Sequence, residues 1–158
     1  MNTLARSAGG LLSKKGLSLS ICESCTGGML GSVITSIPGS SKYFKGGIIA
    51  YSNEIKKNVV GVKDYTLNRF GAVSGQTARQ MAQGTRKIIG TDIGVSITGI
   101  AGPGGGTKEK PVGTVFIGIA DNKKNRVYKF HFKGNRNQIR KRVCAQALKL
   151  LVNFIRGI

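Results

Sequence analysis

The stretch from Leu17 to Ile37 constrains this chain most, because its hydrophobic period changes part-way along. LSLSIC (17–22) alternates as a strand does, with Leu17, Leu19 and Ile21 facing one way and Ser18, Ser20 and Cys22 the other. From Gly28 onward, MLGSVITSI sets Met29, Leu30, Val33, Ile34 and Ile37 at helical spacing until Pro38–Gly39 stops it. The joint between them is CESCTGG (22–28), a run of mostly small residues at a strand-to-helix turn. A chain that switches period in this way belongs with the mixed α/β folds.

The same two periods recur downstream. GGIIAYS (46–52) reads as a buried strand, with Ser52 or Asn53 placed to cap a turn over 53–60. Ser74 reads as the N-cap of a helix through Met81, Ala82, Thr85, Ile88 and Ile89, closed by Gly90. IGVSITGI (93–100) is a further strand and runs into the glycine-rich AGPGGGTKEKP. VGTVFIGIA (112–120) and RVYKFHFK (126–133) are strands joined through DNKKN, a hairpin turn by composition. From Asn135 to Ile155, Ile139, Val143, Ala147, Leu150, Leu151 and Phe154 share one helical face. The N-terminal MNTLARSAGGLLSKKG is basic and acid-free, as transit peptides are. It also reads as a helix with Leu4, Ala8, Leu11 and Leu12 on one side and Gly16 at its end, and the strand that follows at once favours the helix. Together these predict a single domain over residues 1–158, a three-layer α/β/α sandwich on a mixed sheet, with no internal repeat or interdomain linker.

A domain of about 150 residues buries roughly 68–70% of the surface its unfolded chain exposes, so no disulfide framework is required. The three cysteines, Cys22, Cys25 and Cys144, are an odd set without a secretory leader, which points to a reducing, cytoplasmic setting. Cys22 and Cys25 form a lone C-x-x-C, and His131 is the only histidine, short of the four ligands or so of a zinc site; no metal and no cofactor are expected. If 18–25 is a strand, the two cysteines also face opposite ways. No stretch reaches the ~18 apolar residues of a membrane helix.

Charge is the unusual part of the composition. Twenty-five Lys and Arg stand against 6 Asp and Glu, a formal net charge of +19. Such a field draws anions, whether phosphate metabolites, nucleic acid or acidic membrane, or else is a cationic surface with no dedicated partner. It is densest from Lys123 to Arg142, where nine Lys or Arg meet no acid. Arg136, Arg140, Lys141 and Arg142 lie in the first turns of the last helix, where positive charge opposes the helix dipole, and an anionic ligand near that end would account for them.

Three groups of residues could carry chemistry. Ser24 sits before a helix entry, and spacing alone leaves it as either a structural residue or a nucleophile. The backbone N–H groups of Thr26, Gly27 and Gly28 would point outward there and suit an oxyanion or a phosphate. A serine needs a base, and His131 lies in a basic strand without an acidic partner, so the candidate is a lysine whose pKa is lowered by burial or by positive neighbours. Tyr51 and Lys56 in GGIIAYSNEIKK would bring phenol and amine to one side of a loop, the tyrosine relaying a proton or stabilising the lysine; otherwise they are an aromatic cap and a solvated lysine. In SITGIAGPGGGTKEK, five glycines lie within residues 99–106, including Gly99 and Gly102. They allow backbone to approach a ligand closely, or else form a flexible connection, and Thr98 could donate its hydroxyl. The loop is neither a P-loop nor a G-x-G-x-x-G fingerprint.

ESCTGG (23–28), GGIIAYSNEIK (46–56), GAVS (71–74), SITGIAGPGGGT (96–107), KPVGTVFIGIA (110–120) and F-x-G-x-R-x-x-IR (132–140) occur in this order. Over nearly the whole chain, from Leu4 to Phe154, this resembles the CinA C-terminal domain family, the nicotinamide-nucleotide amidases. The resemblance implies an α/β/α sandwich, commonly oligomeric. It implies hydrolysis of nicotinamide mononucleotide to nicotinate mononucleotide and ammonia in pyridine nucleotide salvage. It further implies a serine nucleophile, Ser24, with Tyr51 and Lys56 as partners. On this reading Thr26–Gly28 hold the oxyanion, Thr98, Gly99 and Gly102 wall the substrate, and Arg136 or Arg140 meets the 5′-phosphate. Many members carry a large N-terminal domain that these residues do not include. The charge exceeds what a mononucleotide requires, so a basic nucleic-acid-binding module linked to DNA uptake is the alternative, and a nucleotide-binding protein without activity a third.

Overall fold

The computed structural model describes residues 1–158. Helix α1 (Asn2–Lys15) ends at Gly16 in the left-handed conformation and feeds strand β1 (Leu19–Glu23). Helix α2 (Met29–Thr35) and a 3-10 turn (Ser40–Lys42) lead to β2 (Phe44–Ile49). Three helices follow: α3 (Asn53–Asn58), α4 (Asp64–Phe70) and α5 (Gly75–Ile89). The chain closes with β3 (Ile93–Gly99), the hairpin β4 (Thr114–Ala120) and β5 (Asn125–His131), and α6 (Arg136–Arg156).

The five strands form one mixed sheet in the order β2-β1-β3-β4-β5. β2, β1 and β3 run parallel, and β4 and β5 are antiparallel to their neighbours. Helices α1, α2 and α6 pack on one face and α5 on the other, the predicted three layers. The alternation of LSLSIC explains why the two faces differ. Leu19 and Ile21 join the larger apolar core, with Leu12, Ile34, Ile97, Ile117, Leu148 and Leu151. Cys22 belongs to a small second cluster with Ala50, Val60, Val62 and Met81.

The α5 face is built for close approach rather than bulk. A Cβ at Gly94 would lie 2.2 Å from the Ala82 carbonyl oxygen, and one at Gly118 would lie 2.6 Å from that of Ala78. Ser96 Oγ donates to Ala78 O at 2.6 Å, and Thr85 Oγ1 donates to Ile21 O at 3.1 Å. These glycines therefore sit inside strands for packing, not at turns.

Two sequence expectations change. β2 is an edge strand whose residues alternate between half-buried and exposed, rather than a buried one, because only β1 pairs with it. The turn expected over 53–60 is the helix α3, capped by Ser52, whose Oγ accepts from Ile55 N–H at 3.2 Å. Helix α4 is not evident in the sequence pattern. No helix is long and apolar enough to cross a membrane.

Candidate active site

The carboxyl ends of the parallel strands β1, β2 and β3 lie at one edge of the sheet. The chain leaves β1 towards one face, through α2, and β2 towards the other, through α3 to α5. Ligand sites of open α/β sheets form at such a point.

β1 ends at Glu23, and Ser24 follows it with its N–H on Ile97 O at 3.0 Å. Gly27 (φ 56°) and Gly28 (φ 92°) then take left-handed conformations that side chains disfavour, which turns the chain into α2. Glu23 folds its carboxylate back onto that helix start. Its oxygens accept from the N–H groups of Gly28 (3.1 Å), Leu30 (3.1 Å) and Gly31 (2.8 Å), and the residue is buried. Sequence reasoning missed Glu23. Its signal was there, since it is one of only 6 acids and stands directly before the glycine turn. Glu23→Gln puts an amide NH₂ among N–H donors and is expected to cost about 2–3 kcal/mol, the scale of lost hydrogen bonds to a buried charged group. Guanidinium unfolding measures this, and an unchanged midpoint would contradict the clamp.

The glycine turn spends donors that the sequence suggests would face a ligand. Gly27 N–H donates to Ser24 O at 3.0 Å, and Gly28 N–H is held by Glu23. The N–H groups of Cys25 and Thr26 donate to no protein acceptor. The free donors are therefore displaced one residue toward Ser24 from the expected set.

Lys56 and Lys57 are adjacent but diverge. Lys57 is exposed and pairs with Asp64 at 2.5 Å, whereas Lys56 turns inward and is only 1% exposed. Lys56 Nζ lies 2.7 Å from Ala50 O, 3.3 Å from Tyr51 O and 3.1 Å from Ser24 Oγ. Burial holds its pKa below the ordinary lysine range, a fall that the nearby Cys22 and Cys25 partly oppose. Burial also pushes the Cys22 thiol up to about 12 and the Cys25 thiol up to about 11, so both are protonated near neutrality and unreactive.

Ser24, Tyr51, Lys56, Thr98, Gly99, Gly102 and Arg136 line one cleft of about 270 Å³. Their individual contacts differ from expectation in four places. The Tyr51 hydroxyl accepts from Arg136 Nη2 at 3.0 Å and bonds to neither Ser24 nor Lys56; its backbone carbonyl is what reaches the amine. Thr98 lines the cleft, but its Oγ1 donates to Ala72 O at 2.7 Å and fixes the segment before α5. Arg140 Nη2 donates to Thr26 O at 2.7 Å, so it braces the serine turn from behind and does not line the cleft. Thr26, Gly27 and Gly28 are likewise not cleft walls. Arg136, by contrast, stands at the mouth and also donates through Nη1 to Gly102 O at 2.7 Å. The basic first turns of α6 thus grip the two loops that frame the cleft.

Comparison with known proteins agrees with this architecture. The family described as CinA C-terminal domain matches over residues 1–155. A CinA-like protein of Endomicrobium trichonymphae is 53% identical over 150 residues, covering 95% of this chain and 35% of that protein. Another, from Kosmotoga olearia, is 56% identical over 138 residues, covering 87% of this chain and 34% of that one. The chain thus spans about a third of the length of these relatives (35% and 34%). Among solved structures, the CinA superfamily protein of Klebsiella pneumoniae superposes with a TM-score of 0.96 at 27% identity, covering 99% of this chain and 98% of that one. The competence/damage inducible protein CihA of Agrobacterium tumefaciens gives 0.94 at 38% identity, covering 96% and 93%. With the family match spanning nearly every residue and the fold superposing end to end, the chain belongs to the CinA C-terminal domain family.

Proposed function

We propose that the chain is a serine amidohydrolase that converts nicotinamide mononucleotide and water into nicotinate mononucleotide and ammonia. The observation that carries this reading is the bonding of Lys56. Two backbone carbonyls, those of Ala50 and Tyr51, accept two N–H bonds from its Nζ, and the third direction meets Ser24 Oγ. When the amine is neutral, its lone pair faces the serine hydroxyl. That is the arrangement of a nucleophile beside an oriented base.

In the first half-reaction Ser24 passes its proton to Lys56 and its oxygen attacks the carboxamide carbon. The N–H group of Cys25, a residue that lines the cleft, receives the oxyanion; losing one such donor costs about 10²–10³ in rate in comparable sites. Lys56 returns the proton to the amide nitrogen, the C–N bond breaks and ammonia leaves an ester on Ser24. In the second half-reaction Lys56 takes a proton from water, hydroxide attacks the ester carbon, and the proton returns to Ser24 Oγ as the product leaves as a carboxylic acid, which then loses its proton to solvent. Arg136 meets the 5′-phosphate, which gives its positive charge at a helix N-terminus a counter-ion.

The test is incubation of the chain with nicotinamide mononucleotide in the presence of EDTA. Equimolar ammonia and nicotinate mononucleotide are expected. A well-folded sample that forms neither would refute the reading.

A further inference from the structure

Arg136 joins the two features that the chemistry would otherwise treat separately, the mouth of the cleft and the tyrosine. Its guanidinium spans the opening, with Nη1 on Gly102 O at 2.7 Å and Nη2 on Tyr51 Oη at 3.0 Å. Both acceptors are neutral, and Tyr51 is 60% exposed, so its ring is free to turn about its side-chain bonds. Arg136 is also the first residue of α6, whose start is closed by a capping box. Asn135 Oδ1 accepts from Gln138 N–H at 3.0 Å, and Gln138 Oε1 accepts from Asn135 N–H at 2.9 Å. A cation at that end has no helix dipole to favour it and no acid paired with it. It stands as a charge awaiting an anion.

We infer that a phosphate monoester bound at the cleft mouth draws the Arg136 guanidinium off the Tyr51 hydroxyl and so releases the phenol toward Ser24 and Lys56. This inference rests on the amidase reading for its reaction, though its structural part does not need it. Charge-assisted guanidinium–phosphate bonds are roughly twice as strong as neutral ones and bidentate, so phosphate outcompetes a phenol oxygen for the same fork. The backbone that carries the phenol is anchored beside the amine, since the Tyr51 carbonyl is 3.3 Å from Lys56 Nζ, and both residues line the same cleft. Arg136 is then a positioning residue: recognition of the phosphate, remote from the bond that breaks, appears in kcat as well as in KM.

The experiment uses the full chain and inorganic phosphate as the probe. With tyrosine ring carbons labelled, phosphate titration is expected to shift the Tyr51 signal, identified by Tyr51→Phe, at saturable concentration and constant ionic strength. The shift is expected to vanish in Arg136→Ala. In parallel, phosphate is expected to raise kcat on nicotinamide riboside at least tenfold in the wild type, but not in Arg136→Ala or Tyr51→Phe. A Tyr51 signal indifferent to phosphate, or shifted equally in Arg136→Ala, overturns the inference. So does a shift without acceleration of the riboside in a chain that hydrolyses the mononucleotide. If the signal shifts as expected and the mononucleotide is left intact, the amidase reading has failed and the phosphate-driven release of Tyr51 stands.

Discussion

Ser24→Ala and Lys56→Met are each expected to lower kcat for nicotinamide mononucleotide hydrolysis by on the order of 10⁴, and the double variant no further. The geometry sets this expectation. Oγ and Nζ are 3.1 Å apart, and neither group has an alternative partner for the transfer: the serine hydroxyl has only the lysine, and two of the amine's directions are fixed on Ala50 and Tyr51 carbonyls. Removing the base leaves a hydroxyl of ordinary nucleophilicity. Removing the nucleophile leaves a base with nothing to deprotonate but water. Groups that act as one unit lose their effect once, so their costs do not multiply. Ammonia release under saturating substrate measures each rate, with circular dichroism to confirm the fold. A double variant whose loss is the product of the two single losses would mean that Ser24 and Lys56 act in separate steps. The residual rate would then reflect cleft binding and the Cys25 N–H group alone.

Hydrophobic periodicity makes most of the fold legible in the sequence. The alternation in LSLSIC, the Ser74 and Gly90 boundaries of α5 and the Asn135 start of α6 lie where the pattern places them. What escapes are features set by partners rather than by local pattern. The edge position of β2 depends on which strand lies beyond it, and nothing in FKGGII records that none does. The glycines at 94 and 118 resemble weak strand residues until α5 is laid over them.

The site divides in the same way. Ser24, Tyr51 and Lys56 can be named from the sequence, and the fold brings all three to one cleft. How they touch cannot be read there. Burial of Lys56 but not Lys57 follows from which side of α3 packs inward, a tertiary fact. The free N–H groups of the turn differ by one residue from the expected set because a sequence shows where N–H groups are, not which of them are already taken. Glu23 takes that of Gly28, and the Ser24 carbonyl takes that of Gly27. Arg136 and Arg140 look alike as basic residues one turn apart. Only the first reaches the cleft, since the second is spent on the Thr26 carbonyl.

Activity is expected to rise with pH through a single ionisation and then level off, with a midpoint below the unperturbed lysine value of about 10.4. Only the neutral Lys56 amine can take the serine proton, so the active fraction grows as the ammonium deprotonates. Burial is the main cause of the downward shift. The opposing influence of Cys22 and Cys25 requires thiolates, and these thiols are pushed up to about 12 and about 11, so it is absent through the working range. The same shift has a stability counterpart of defined sign. Between the folded and unfolded pKa values of Lys56 the unfolded chain holds more protons, so stability gains with rising pH across that window. Below the folded value the buried ammonium is a standing cost. Lys56→Met lacks the titration altogether, so the difference in Tm between this variant and the wild type is expected to shift in favour of the wild type as pH rises through the lowered Lys56 pKa toward the unperturbed lysine value. The measurements are a kcat/KM profile on the mononucleotide and paired thermal melts over the same pH values. A midpoint at or above the unperturbed value of about 10.4, or a Tm difference flat with pH, would mean that Lys56 is charged and solvated in the working protein and that another group deprotonates Ser24.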